Sequence, residues 1–237
     1  MDFLICGTAA AEGIPALFCS CEVCTKALGL GGREIRSRTA YMIGEKIRID
    51  LGPDTFHHLS RYQLRYDRLT HLLITHTHID HWFPDELLYR RKGFSRVADT
   101  DFKIFGNATA REKFLQKSIG TWEEVNASFD EIVPFKPISL PDGLTAYALP
   151  AAHDKREECL VFLVESPKAK IGIFHDTGWL PEASWEFLNN RKLDLALIDC
   201  THGKDNIQQN HMGGATVAAF KKELEKRDAL SAKARVF

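Results

Sequence analysis

His76-Thr77-His78-Ile79-Asp80-His81 follows directly on the apolar run Leu72-Leu73-Ile74, and places three imidazoles and a carboxylate within six residues. One histidine in such a loop reads as exposed, or as hydrogen-bonded in a core. Four donor side chains at this spacing have little structural use. Neutral imidazole and carboxylate are the ligand set of a borderline divalent cation such as zinc or manganese. In an extended or loosely turning loop, positions i and i+2 project to one side, while Asp80 and His81, beyond the bend, can serve a second ion. More ligands are needed, and later strand ends offer them: His153 after Leu149-Pro150-Ala151-Ala152, and Asp176 after Ile173-Phe174-His175.

Outward from that loop, short runs rich in β-branched residues recur at 3–6, 40–43, 47–49, 71–74, 102–105, 144–149, 160–164, 171–174 and 193–198, and these predict strands. Helical spacing appears over 108–118, over 181–189 with Pro181 suited to a first helical position, and over 214–227 with Val217, Phe220 and Leu224 on one face. The order predicts an α/β fold in a single domain spanning 1–237. Residues 29–37 read as a surface loop. The charges of Lys221-Lys222-Glu223-Leu224-Glu225-Lys226-Arg227 alternate in sign, so this run is a solvated helix face.

Composition narrows the function. Lys and Arg number 31 against 32 Asp and Glu, a balance without the cationic field that long nucleic acids require. A small substrate fits better. No stretch approaches the ~20 apolar residues of a membrane span, and the start, Met-Asp-Phe-Leu-Ile-Cys-Gly, lacks a secretory pattern. A cytoplasmic protein without membrane contact is expected. In a reducing compartment Cys19, Cys21 and Cys24 suggest thiolate ligands, suited to one face of a tetrahedral zinc that a fourth ligand would close; the alternatives are a redox pair or three inert thiols. Cys6, Cys159 and Cys200 stand singly in or beside apolar strands and read as free thiols. His57 and His58 fall at an expected helix start after Pro53-Asp54 and His71 opens a strand; these three read as structural or exposed, and His175 as packing.

His-x-His-x-Asp-His, an isolated His153, and Asp176 in Asp-Thr-Gly together resemble the metallo-β-lactamase superfamily, whose fold is a four-layer αββα sandwich. Gly7-Thr8-Ala9-Ala10-Ala11-Glu12-Gly13-Ile14-Pro15, the cysteine triplet, Ile173-Phe174-His175-Asp176-Thr177 and Asp199-Cys200-Thr201-His202 resemble most closely its phosphoribosyl cyclic phosphodiesterases of phosphonate degradation. The resemblance runs from about residue 3 to the last residue. It implies that His76, His78 and His153 hold one metal, Asp80 and His81 a second, and that Asp176 bridges them. It also implies a catalytic role at Asp80, and hydroxide activated by two ions ~3.5–4 Å apart for attack on phosphorus. The departing alkoxide needs a proton. His202 is the candidate acid, His211 the reserve, and Asp199 orients one of these rings or caps the following loop.

The family pattern continues past the strand expected to begin at Ala234 with a Thr-His-x-Ser-His segment, which would complete the second metal and the cysteine site. The chain is therefore expected to be truncated at its C-terminus, with a homodimer allowed for. The expected function is hydrolysis of a small cyclic phosphate ester, with two divalent ions (zinc or manganese) and one structural zinc. The alternatives are a tRNA-trailer endonuclease, a pyrroloquinoline-quinone biosynthesis type of protein, and a non-catalytic metal-stabilised binding module.

Overall fold

The apolar runs become strands in two separate mixed sheets. The computed structural model describes residues 2–96, 101–116 and 121–237. The chain divides into two compact units, Asp2–Glu131 and Ile132–Phe237, each with its own core.

The first unit holds β1 (Phe3–Gly7), α1 (Glu22–Leu30), β2 (Ala40–Ile43), β3 (Ile47–Ile49), α2 (Thr55–Tyr62), β4 (His71–Leu73), β5 (Lys103–Gly106), α3 (Ala108–Gln116) and β6 (Ser128–Glu131). Its strands pair in chain order. The first two pairings are antiparallel and the three from β3 to β6 are parallel. Every residue of β2 and β3 is buried, as expected of strands covered on both faces. Helical spacing was read over 108–118; α3 ends at Gln116, and Lys117 and Ser118 lie outside the described residues.

The second unit holds β7 (Pro137–Ser139), β8 (Thr145–Pro150), β9 (Leu160–Glu165), β10 (Lys170–Phe174), α4 (Glu182–Leu188), β11 (Leu193–Ile198), α5 (Gly214–Lys226) and β12 (Leu230–Val236). Here too neighbours in sequence are neighbours in the sheet. Three antiparallel pairings are followed by two parallel ones, β10–β11 and β11–β12, whose connections carry α4 and α5. Phe220 and Leu224 of α5 are buried, while Val217 is half-buried against the same core.

β6, β7 and α1 lie outside the sequence expectations. Apart from Ile138 of β7, the residues of β6, β7 and β12 are exposed or half-exposed, so these strands lack a continuous apolar run. β12 begins at Leu230, ahead of the expected Ala234. α1 covers Cys24 and runs to Leu30, and a 3-10 turn follows at Gly32–Glu34, so the expected loop at 29–37 is partly helical. No helix among the described residues is long and apolar enough to cross a membrane.

Candidate metal centre

Except for His153, which follows the antiparallel β8, the donor residues sit where parallel strands end. β3 and β4 run side by side with Ile49 opposite Leu73, so Asp50 and the segment from Ile74 to His81 leave the sheet together. The Asp50 N–H donates to the Leu73 carbonyl (2.9 Å) and the Thr75 N–H returns to Asp50 Oδ1 (2.8 Å). Beyond Thr75 the chain turns, and the N–H groups of His81 and Trp82 both donate to the His78 carbonyl (3.0 and 2.8 Å). The turn is anchored by buried Trp82, whose Nε1–H donates to the Ala110 carbonyl (3.0 Å), and by Lys113, whose ammonium donates to the Thr77 carbonyl.

This turn brings the first unit's imidazoles together. The His76 ring centroid lies 4.6 Å from that of His78 and 4.3 Å from that of His81. His76, Asp80 and His81 are buried and His78 is half-buried, whereas Ile79 between them faces outward. His81 Nδ1 lies 2.6 Å from Asp50 Oδ2, and its Nε2 lies 3.2 Å from Asp80 Oδ2. The Thr75 hydroxyl donates to the Asp50 carboxylate (3.0 Å) and its oxygen is 3.0 Å from His76 Nδ1.

The second unit repeats the device. Phe174 of β10 lies opposite Ile198 of β11, so Asp176 and Asp199 leave neighbouring strand ends. Asp199 is buried and accepts three hydrogen bonds, from Thr201 N–H (3.0 Å), Met212 N–H (3.1 Å) and His211 Nδ1–H (2.7 Å). It therefore both orders the loop and orients a ring. His153, after β8, donates its Nδ1–H to the Asn210 carbonyl (2.8 Å) and points Nε2 toward Asp176 Oδ2 (3.9 Å). His153, Asp176 and His211 offer donor atoms all within 4.8 Å of one another. His202 is half-buried, its ring centroid 5.8 Å from that of His211.

Backbone carbonyls and ionised carboxylates only accept hydrogen bonds, so His81, His153 and His211 carry their protons on Nδ1 and present Nε2 as the donor atom. Metal-ligating histidines characteristically have the second ring nitrogen fixed in this way. The residues present therefore suit divalent cations by chemistry and by orientation.

Asp50, Thr75 and Asn210 were not singled out from the sequence. Asp50 had a signal, because Asp50-Leu51-Gly52 closes the buried Ile47-Arg48-Ile49 just as Asp176 and Asp199 close their strands. The Asn210 contribution is a backbone carbonyl, which no side-chain pattern encodes.

Apart from these residues, Cys19, Cys21 and Cys24 bring their sulfurs within 4.8 Å of one another. Cys21 stands at the N-cap of α1. The nearby Cys24 backbone N–H and the neighbouring cysteine side chains lower the Cys21 thiol to about 7. Cys24 is buried and its sulfur accepts the Ala16 N–H (3.3 Å).

Residues 45–232 match the sequence profile of the Beta-lactamase superfamily domain. No curated protein sequence matches the chain. Among solved structures it is similar to a diphosphatase from the PhnP family (TM-score 0.75, 19% identity, covering 94% of this chain and 82% of that one). It is also similar to Zn(2+)-bound PqqB from Methylobacterium extorquens (0.71, 16%, 92% and 84%), and to the short form of human tRNase Z (0.70, 20%, 100% and 95%). At these identities the likeness is one of fold.

Proposed function

Because the chain belongs to the beta-lactamase superfamily, a family of metal-dependent hydrolases with the metallo-β-lactamase fold, we propose that it hydrolyses a small cyclic phosphate ester, with a ribose cyclic phosphate as the leading substrate. His76, His78 and His153 hold one divalent ion, Asp80 and His81 the other, and Asp176 is shared. Zinc and manganese both suit such ligands. When bound, the ions supply hydroxide near neutral pH and neutralise charge on the phosphate oxygens.

The observation that carries the reading is that His81, His153 and His211 each commit Nδ1 to an oxygen acceptor of their own unit (2.6, 2.8 and 2.7 Å). Three rings locked in the same tautomer are what ligation and directed proton transfer require, and an incidental cluster does not need them. The proton for the departing alkoxide is assigned to His211. The sequence favoured His202, but it is His211 that has a carboxylate behind it, and Asp199 stabilises the imidazolium form. In this step water gives its hydroxide to phosphorus and its remaining proton to solvent, the P–O ester bond breaks, and His211 delivers a proton to the leaving oxygen.

The test is turnover of a bis-aryl phosphate, a ribose cyclic phosphate and a tRNA carrying a 3′ trailer, by the native protein, the chelator-treated protein and His78→Ala. The proposal expects turnover of the first two, lost with chelator and in the variant. Turnover indifferent to both treatments would end the metal mechanism. Cleavage confined to the tRNA would replace the substrate.

A further inference from the structure

Arg48 is a cation in an improbable place. It occupies the middle of β3 and is 0% exposed. Removing a guanidinium from water costs several kcal/mol unless its donors are satisfied, and a carboxylate is its usual buried partner. Among the described residues none of its hydrogen-bond partners is a carboxylate. Nη1 donates to the Tyr66 hydroxyl, and the guanidinium lies 5.1 Å from that ring's centroid. Nη2 reaches Thr55 Oγ1 (3.4 Å) and His58 Nδ1 (3.2 Å). Since arginine only donates, His58 accepts at Nδ1 and keeps its proton on Nε2, which faces Ser37 Oγ at 2.9 Å. These partners fix the fork in space.

The remaining donor gives the arrangement a purpose. Nε donates to the backbone carbonyl of Asp50 (2.8 Å), two residues along the same chain. Asp50 has φ +61°, in the left-handed region that costs a residue with a Cβ about 1 kcal/mol or more. Its carboxylate meets the Thr75 N–H, the Thr75 hydroxyl and His81 Nδ1 because the backbone takes that turn. An ordinary extended Asp50 would continue the alternation of β3 instead.

We propose that Arg48 is a positioning residue for the metal centre: its guanidinium, immobilised by Tyr66, Thr55 and His58, holds the Asp50 peptide in its left-handed turn and so sets the carboxylate that aims His81. The assignment rests on the reading of His81 as a ligand of the second ion. Arginine suits the role better than lysine, because a planar fork fixes direction as well as charge.

The test titrates metal-free protein with Co2+, following the d–d spectrum and the affinities of the first and second ions, for wild type, Arg48→Met, Tyr66→Phe and His81→Ala. Thermal midpoints of the metal-free proteins are recorded alongside. Arg48→Met is expected to weaken the second ion about ten-fold or more, the usual cost of losing a partner behind a ligand, and to alter that ion's spectrum. The first ion should be unaffected, and the midpoint should fall modestly, because the buried acceptors that Arg48 satisfies, the Asp50 carbonyl among them, lose their donor. Tyr66→Phe should shift the second ion in the same direction by less. If Arg48→Met does not fold, Tyr66→Phe decides alone, and a native second-ion affinity there overturns the proposal. Native second-ion affinity in both variants, with His81→Ala deficient, overturns it and leaves the functional reading standing. Native affinity in His81→Ala removes the reading of His81, and this inference with it.

Discussion

The Cβ that Gly52 lacks would lie 1.9 Å from the carbonyl oxygen of Asp80. The chain after β3 is thus pressed against the backbone of a proposed ligand, and two hydrogen bonds hold it there: Leu51 N–H to the His81 carbonyl (2.8 Å) and Phe83 N–H to the Leu51 carbonyl (2.7 Å). Gly52→Ala must therefore displace Asp80 and, with it, His81. Because a shift of ~1 Å in a catalytic group can cost about 10²-fold, turnover of the bis-aryl phosphate should fall by that order. Gly29→Ala, where a Cβ meets nothing within 4 Å, serves as the control and should leave turnover unchanged. Equal activity in the two variants would show that the contact does not set the site.

Asp199→Asn tests the proton donor. The amide keeps the size of the carboxylate and its bonds to Thr201 and Met212, but it withdraws the charge that favours a protonated His211. General acid catalysis is worth about 10²–10⁴-fold. The loss should approach that range for a ribose cyclic phosphate, whose leaving alkoxide needs a proton, and stay small for an aryl ester whose phenolate leaves unaided. Similar losses on both substrates would take the acid role away from His211.

Much of this was legible in the residues themselves. The donors follow β3, β4, β8, β10 and β11, strands in which half or more of the residues are buried, and burial demands apolar residues, so these strands stand out. The first metal-loop residues stand out because polar side chains gathered beyond such a run have no packing role. Edge and surface elements were less visible. β12 alternates Lys233 and Arg235 with small residues, and α1 was hidden by the cysteines that invite reading as a metal knuckle. The supports of the site were the least visible. Asn210 acts through its carbonyl, Asp50 through a left-handed backbone, and Arg48 through a position in the middle of an apolar strand. Such roles become apparent only when distant residues are placed side by side.

The cysteine triplet should carry a metal independent of turnover. With Cys21 at the α1 N-cap lowered to about 7, a thiolate is available near neutral pH, and the Cys19 and Cys24 sulfurs stand within 4.8 Å of it. Cys19→Ser combined with Cys21→Ser should lower the zinc content by one equivalent. The thermal midpoint should drop by at least about 3 °C, the shift that ~1 kcal/mol produces in a chain of this size. Elemental analysis of the purified variant checks this. An unchanged zinc content would mean that the three sulfurs hold no ion.

His58 should make stability depend on pH in a defined direction. Burial chiefly, and then the positive charge of Arg48, hold its imidazole down at about 3, against an ordinary 6.5. Between those values the unfolded chain binds a proton at His58 and the folded chain does not, so acid favours unfolding. The contribution is complete above pH 6.5 and is lost as the pH falls toward 3, by up to about 1.4 kcal/mol per unit. Replacing His58 with glutamine keeps an acceptor for Arg48 and removes the titration. All other residues are the same in both proteins, so the difference between the two curves reports His58. The urea midpoint of the wild type should fall more steeply than that of His58→Gln from pH 6.5 to pH 4, and the two curves should run parallel above pH 7. Parallel curves throughout would mean that His58 is protonated as readily in the folded chain as in the unfolded one, which its contact with the donor-only Arg48 forbids.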